Sequence, residues 1–111
     1  MEKISPSIPI STSEGFYFLN PSEIIRLEAS SNYTRIYFAD KSKMITAKVL
    51  KQFEQILEPF GFVRTHRTHL VNRQHILCIT QEGSIIMKDA SVAEISRRMK
   101  SSVMKMLKNA A

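Results

Sequence analysis

The sequence predicts a mainly β fold, either a sandwich or an open barrel. Short runs of β-branched and aromatic residues alternate with clusters of turn-forming residues along most of the chain. One of these runs, residues 24–29, alternates apolar and polar side chains with the period of two that a half-buried strand requires. Together the runs give roughly eight to ten short strands, at the spacing that is typical of a sandwich or barrel.

The first strands follow a segment with the composition of a linker. Two prolines and four serines in residues 1–13 predict a linker that becomes an edge strand near Ile8 and Ile10, and the domain itself is expected to occupy residues 14–109. Within that domain, turn residues separate three predicted strands, at residues 16–19, 24–29 and 34–38. In the third of them, Ile36 and Phe38 share one face.

The middle and the end of the chain carry two predicted helices. The apolar residues of the first helix recur at helical spacing at Leu50, Phe53, Ile56 and Leu57. A hairpin of two strands follows, at residues 75–80 and 84–88. Ser96 is then predicted to cap a C-terminal helix, whose apolar stripe consists of Met99, Val103, Met106 and Leu107.

Length and composition limit the class of protein. A chain of 111 residues has room for one domain and a modest core. No apolar run approaches the roughly 20 residues that a membrane span needs, and the N-terminus lacks the apolar region of a secretory signal. We therefore expect a cytoplasmic protein without a membrane partner. Cys78, the single cysteine, lies in an apolar run and is expected to be buried.

The net charge of +6 is confined to the second half of the chain. Residues 1–58 contain seven basic and seven acidic side chains, whereas residues 59–111 contain nine basic and three acidic ones. This asymmetry favours a basic face that meets a polyanion, either a nucleic acid or an anionic membrane. A lysine-rich solvated surface would explain the charge balance alone equally well.

Residues 62–72 concentrate the side chains that are best suited to bind such a polyanion. Apolar residues at both ends predict that Arg64, His66, Arg67 and His69 lie on a short, firmly held connection at the surface. Arginine offers a planar fork of donors that matches phosphates and guanine edges, and histidine adds hydrogen bonds without negative charge. These residues point to a nucleic acid. The alternative role for the two histidines is to brace the turn by hydrogen bonds.

Catalytic and metal-binding functions have weaker support. The spacing of His66 and His69 can bind zinc, but Arg64 and Arg67 place positive charge beside the pair, so no metal or other cofactor is expected. The chain shows no nucleophile with its base, no carboxylate pair and no glycine-rich phosphate loop, so we expect no enzymatic activity. The helix from Ser96 is basic but lacks the preceding helix and tight turn of a helix-turn-helix reader.

Three predicted loops carry polar and arginine side chains, and loops on a β scaffold can enter the grooves of DNA. They are residues 31–35, 64–69 and 96–98. In this order the loops carry a pattern that resembles the LytTR DNA-binding domain, found at the C-terminus of many bacterial response regulators. The matching segments lie at residues 25–34, 50–57, 62–72 and 95–98. The central His-Arg-Thr followed by Val-Asn is the most specific part of the resemblance.

The resemblance implies a fold, a function and a set of contact residues. The fold is an elongated β-sandwich with short helices. The function is sequence-specific binding of double-stranded DNA by loops inserted into the major groove, commonly at direct repeats. Base contacts are expected from Thr34, Arg67 and Arg97. Backbone or supporting contacts are expected from Ser31, Asn32, Arg64, His66, His69 and Arg98. As a departure from the family pattern, Asp40-Lys41 and Asp89-Ala90 stand where Asp-Gly turns are common.

The resemblance also implies a larger context. Response regulators of two-component systems usually carry a phospho-receiver domain upstream, so this chain is expected to be the output domain of a bacterial transcription regulator and to form a dimer on DNA. The alternative from another class is a basic protein-interaction or regulatory module that binds an acidic partner or a membrane surface. Selectivity for sequence separates the two, because such a module would bind any polyanion equally.

Overall fold

The structure, a computed structural model, describes residues 7–109, which contain ten strands, two α-helices and three short 3-10 helices. The strands are β1 (Ile8–Thr12), β2 (Gly15–Leu19), β3 (Ile24–Ser30), β4 (Tyr33–Phe38), β5 (Lys43–Thr46), β6 (Phe62–His66), β7 (His69–Asn72), β8 (Ile76–Ile79), β9 (Ser84–Met87) and β10 (Val92–Glu94). The α-helices are α1 (Leu50–Leu57) and α2 (Lys100–Lys108). Neither of these helices has the length and apolar content that crossing a membrane requires.

A five-stranded antiparallel sheet in the order β5-β4-β3-β7-β6 forms the centre of the fold. Successive side chains of a strand point to opposite faces, so each strand contributes to both sides of the sheet. On one face, Leu27 of β3 lies opposite Leu70 of β7 and Ile36 of β4, and all three are fully buried. On the other face, Val63 of β6 lies opposite Val71 of β7. The two faces therefore belong to two separate parts of the core.

One face of the central sheet is covered by α1 and by the hairpin of β1 and β2. The helix buries Leu50, Phe53 and Leu57, and these side chains join a cluster that contains Ile10 of β1 and Leu19 of β2. Burial of side chains of this size contributes roughly 1.5–3 kcal/mol each relative to exposure. The mid-chain helix that the apolar spacing predicts is confirmed.

The opposite face is covered by a three-stranded antiparallel sheet in the order β10-β9-β8 and by α2. Ile85 and Met87 of β9 and Val103 of α2 belong to the same buried cluster as Val63 and Val71 of the central sheet. The two sheets pack as a sandwich through these side chains. The prediction of a mainly β sandwich with a mid-chain helix and a C-terminal helix is confirmed.

The segment predicted as a linker contributes a strand to the fold. β1 pairs antiparallel with β2, and its Ile10 is only 1% exposed. Residues 1–6 of that segment lie outside the described residues. The domain boundary predicted at residue 14 therefore stays a prediction.

Two local predictions are wrong. The C-terminal helix begins at Lys100, because the Ser96 hydroxyl accepts a hydrogen bond from the Met99 amide at 3.1 Å and closes a separate turn before the helix. Cys78 is exposed instead of buried. It lies on β8, an edge strand, and the pairing register of β8 shifts between Ile76 and Cys78, so the apolar run does not face the core along its whole length.

Candidate nucleic-acid interface

Three loops meet at one end of the central sheet. The β3-β4 turn and the β6-β7 turn lie at the same end, because β3 pairs antiparallel with both β4 and β7. Glu28 of β3, close to both turns, lies opposite Arg35 of β4 and His69 of β7. The third loop, residues 95–99, joins this end through a hydrogen bond from the Ser96 amide to the Thr65 carbonyl at 2.9 Å. The fold thus brings together the three loops that the sequence singles out.

The β6-β7 turn presents an exposed Arg67, and Arg64 holds the backbone of that turn. The Arg64 Nε donates to the His66 carbonyl at 2.9 Å, and its Nη2 donates to the Arg67 carbonyl at 2.6 Å. Its Nη1 donates to the Glu54 carboxylate at 2.7 Å. All three guanidinium nitrogens are engaged within the protein, so the geometry favours a supporting role for Arg64 over contact with a phosphate.

His66 closes the same turn from its own side chain. Its Nδ1 accepts a hydrogen bond from the Thr68 backbone amide at 3.1 Å and lies 2.8 Å from the Thr68 hydroxyl. Because Nδ1 is an acceptor, the proton of the neutral ring lies on Nε2. The Nε2–H group is then the donor that this ring offers to an external acceptor such as a phosphate oxygen.

His69 faces a different environment at the start of β7. Its Nδ1 is buried and has no hydrogen-bond partner among the described residues. Burial lowers the pKa of His69, while Glu28 opposes the shift and Arg26 and His66 reinforce it. The ring is therefore neutral near pH 7. It lies 5.5 Å from the His66 ring in a tilted arrangement, so the two imidazole rings pack against each other on the turn.

The third loop carries Arg97 and Arg98, both of them exposed. Thr65 fixes the loop to β6, because its buried hydroxyl donates to the Glu94 carbonyl at 3.0 Å just before the loop begins. An open cleft of about 550 Å³ separates this loop from the β6-β7 turn. Both sides of the cleft carry guanidinium groups; it is lined by Glu54, Arg64, His66, Arg67, Ser96, Arg98 and Met99.

The β3-β4 turn exposes Ser31 and Asn32, with Ser31 in the left-handed conformation at φ 57°. Thr34 does not join them. Its side chain is fully buried, and its hydroxyl donates to the Lys48 carbonyl at 2.7 Å. In this structure the hydroxyl is thus engaged inside the protein, which favours a structural role for Thr34, and the base contact predicted from it stays a prediction.

Arg35, which lies in the predicted loop of residues 31–35 but is not among the predicted contact residues, is the exposed cation of this loop. It follows Thr34 on β4, so its side chain points to the opposite face, where it lies across from Glu28 of β3. The signal was present in the sequence. Thr34 shares a period of two with the apolar Ile36 and Phe38, and that period assigns Thr34 to the core and Arg35 to the surface.

This end of the molecule is a cationic surface rich in hydrogen-bond donors. Arg35, Arg67, Arg97 and Arg98 are all exposed on it or beside it. Guanidinium groups bind phosphates and base edges through two parallel hydrogen bonds. Over residues 7–109, no group of three or more His, Cys, Asp or Glu side chains is arranged to hold a metal ion.

The sequence of this chain is similar to those of several known proteins. A family model described as the LytTr DNA-binding domain matches residues 14–108. The CO-responsive transcriptional regulator RcoM of Rhodospirillum rubrum is 24% identical over 90 residues, which cover 79% of this chain and 38% of that protein. The sensory transduction protein LytR of Staphylococcus saprophyticus is 30% identical over 77 residues, which cover 69% of this chain and 30% of that protein. The chain thus spans about a third of the length of these relatives.

A solved structure shares the fold. The LytTr DNA-binding domain from Bacillus cereus superimposes on this chain with a TM-score of 0.77, covering 96% of this chain and 99% of its own. Its sequence is 22% identical to this one. At this level of identity the similarity concerns the fold, and it extends over almost the whole of both chains.

Proposed function

This chain belongs to the LytTr DNA-binding domain family, and we propose that it reads a specific sequence of double-stranded DNA with the three loops at one end of its central sheet. DNA binding in transcription regulation follows from the family and from relatives that are transcriptional regulatory proteins. The family is defined by DNA binding and not by an enzymatic reaction. The loops, the groove that they enter and the role of each residue are the proposal.

The proposal rests on the exposed position of Arg67 on a turn that Arg64 holds in place. Arg67 is exposed on a turn whose backbone is fixed at the carbonyls of His66 and Arg67 by Arg64. Its guanidinium therefore projects from a rigid base, which reduces the conformational entropy lost on binding. A two-stranded β ribbon fits the major groove, where arginine binds the N7 and O6 of guanine. We assign this base contact to Arg67 and a second one, from the third loop, to Arg97.

The DNA backbone is bound by the exposed groups around these two arginines. Ser31 and Asn32 donate from the β3-β4 turn, Arg35 supplies the cation of that loop, and Arg98 lies beside Arg97. Contacts of this kind carry no sequence information, but they fix the position of the protein on the duplex and make affinity depend on salt. A second group of residues, Arg64, His66 and His69, holds the β6-β7 turn in shape, and His66 adds an Nε2–H donor.

The length of the relatives supports a proposal about the larger protein to which this domain would belong. Because this chain spans about a third of them, we propose that it is the output domain of a response regulator with a phospho-receiver domain upstream. We also propose that two copies bind direct repeats as a dimer on DNA. Repeats one helical turn apart would place both copies on the same side of the duplex.

Selection from a randomised duplex library with the purified domain tests this function. We expect enrichment of a short motif, with an affinity that falls steeply as salt is raised because several phosphates are neutralised. Heparin and an unrelated duplex serve as competitors. Enrichment without any motif, together with equal competition by heparin, would contradict the proposal and favour a basic interaction module.

A further inference from the structure

We propose that Glu54, a residue of α1 outside all three loops, is a positioning residue for Arg67 and thereby sets the sequence selectivity of the domain. This inference rests on the proposed function, because it concerns how the proposed reading group is held. We assign no DNA contact to Glu54 itself. It acts through Arg64 on the turn that presents Arg67.

A series of contacts connects the core to the β6-β7 turn. Phe53 and Leu57 are each 1% exposed, and their burial fixes the position of α1 against the central sheet. Glu54 projects from that fixed helix and accepts a hydrogen bond from the Arg64 Nη1 at 2.7 Å. The other two nitrogens of the same guanidinium bind the carbonyls of His66 and Arg67. A planar guanidinium cannot shift one of these bonds without shifting the others.

The β6-β7 turn needs this support because its pairing is irregular. The register of β6 and β7 shifts between Arg64 and His66, so the ladder is interrupted just before the turn. The carbonyls of His66 and Arg67 are bound by a side chain at this point. If Arg64 moved away, both carbonyls would have to find other partners, and the orientation of Arg67 would no longer be fixed.

Electrostatics favours the same role for Glu54. A carboxylate on a surface that binds a polyanion lowers the affinity for every duplex, because it repels phosphates. Glu54 nevertheless lines the cleft that Arg67 and Arg98 also line. A DNA phosphate and Glu54 are the two natural acceptors for Arg64, and the short bond to Glu54 keeps the guanidinium on the turn. Under this proposal, Glu54 lowers the affinity for every duplex but raises the selectivity for the specific sequence.

Opposite effects on two duplexes test this proposal. The variant Glu54→Ala keeps a residue of high helix propensity but releases Arg64. We expect its affinity for the selected motif to fall by roughly fivefold to tenfold, near the lower end of what one bidentate base contact provides. Its affinity for a scrambled duplex should stay equal or rise, because a negative charge has been removed. Arg64→Lys, which keeps the charge but loses the fork, should show the same loss of selectivity.

Glu94→Ala is the matched control. Glu94 is exposed, lies next to the third loop, and its backbone carbonyl, not its side chain, accepts from Thr65. Its removal should raise affinity for both duplexes alike. If Glu54→Ala behaves like Glu94→Ala, Glu54 acts only as a charge and the positioning role is wrong. A thermal unfolding curve for each variant shows whether the fold is intact.

A measurement without DNA separates failure of this inference from failure of the proposed function. The Thr68 amide donates to His66 Nδ1 within the turn, so its hydrogen exchange reports the order of the turn. We expect faster exchange of this amide in Glu54→Ala than in the wild type. Absence of a selected motif for the wild type would contradict the proposed function, whereas unchanged exchange at Thr68 would overturn the role of Glu54.

Discussion

The backbone amide of Ser96 donates to the carbonyl of Thr65 at 2.9 Å and thereby joins the third loop to β6. The Thr65 hydroxyl reinforces this junction, because it donates at 3.0 Å to the carbonyl of Glu94, the last residue of β10. Thr65 is fully buried. Two bonds to one buried residue therefore fix the distance between the loop of Arg67 and the loop of Arg97, the two loops for which we propose base contacts.

Loss of the Thr65 hydroxyl should be costly. In Thr65→Val the shape is kept, but the Glu94 carbonyl loses its donor in a part-buried site. We expect the free energy of unfolding to fall by about 1–3 kcal/mol, measured by urea denaturation. Thr12→Val is the control, since the Thr12 hydroxyl donates to the Gly15 carbonyl in an exposed hairpin. Equal losses in the two variants would argue against a structural role for the junction.

Thr34 should behave as a core residue and Arg35 as a contact residue. Thr34→Val removes the part-buried bond to the Lys48 carbonyl, so we expect a loss of about 1–3 kcal/mol of unfolding free energy and an unchanged selected motif. Arg35→Ala should leave stability within about 0.5 kcal/mol, as is usual at the surface, and reduce affinity for all duplexes. A changed motif in a stable Thr34→Val variant would restore Thr34 as a base contact.

Stability should decrease as the pH falls, and His69 should cause part of this decrease. Burial lowers the pKa of His69 below its ordinary value of 6.5, with Glu28 opposing the shift. The unfolded chain therefore binds more protons than the folded one between the lowered pKa and 6.5. The stability is fully present above about pH 6.5 and is lost as the pH falls through the folded pKa.

Urea denaturation on both sides of this range, for the wild type and His69→Gln, measures the effect. We expect a weaker pH dependence in His69→Gln, because the titrating group has been removed. His75→Gln is the control: its ring Nε2 lies 2.8 Å from the Ser22 carbonyl, outside the β6-β7 turn. An identical pH dependence in the wild type and His69→Gln would contradict the assignment.

Ala90 stands in a turn that glycine fits better. Its φ is 72°, in the left-handed region that is unfavourable for residues with a Cβ. We expect Ala90→Gly to raise the free energy of unfolding by roughly 0.5–1 kcal/mol, since the relief of strain exceeds the entropy that glycine loses. Ala39→Gly, at an exposed position without a positive φ, should lower it instead. A destabilised Ala90→Gly variant would contradict this account of the turn.

The sequence predicted most of the fold because period and turn chemistry are local. The apolar spacing from Leu50 to Leu57 predicted α1, and the alternation in residues 24–29 predicted β3. Local patterns gave wrong predictions where contacts with a neighbouring element determine where a helix begins or whether a side chain is buried. Ser96 was predicted to cap α2 but closes an earlier turn, and Cys78 lies in an apolar run but on an edge strand.

The candidate site was predictable in part for the same reason. The loops of Arg67 and Arg97 could be located from sequence, since each is a run of polar residues between apolar ones. The bond between Glu54 and Arg64 could not, because it joins a helix to a strand ten residues away along the chain. Only the packing of α1 on the central sheet brings the two side chains together.

Selection with Arg67→Ala from a randomised duplex library tests whether Arg67 reads a base. The wild type and Lys105→Ala, in which an exposed cation on α2 is removed, are run in parallel. We expect Arg67→Ala to lose preference at one base position, with a loss of about 1–3 kcal/mol for the wild-type motif. Lys105→Ala should weaken binding evenly across sequences. The same motif, selected with the same strength by Arg67→Ala, would contradict the account.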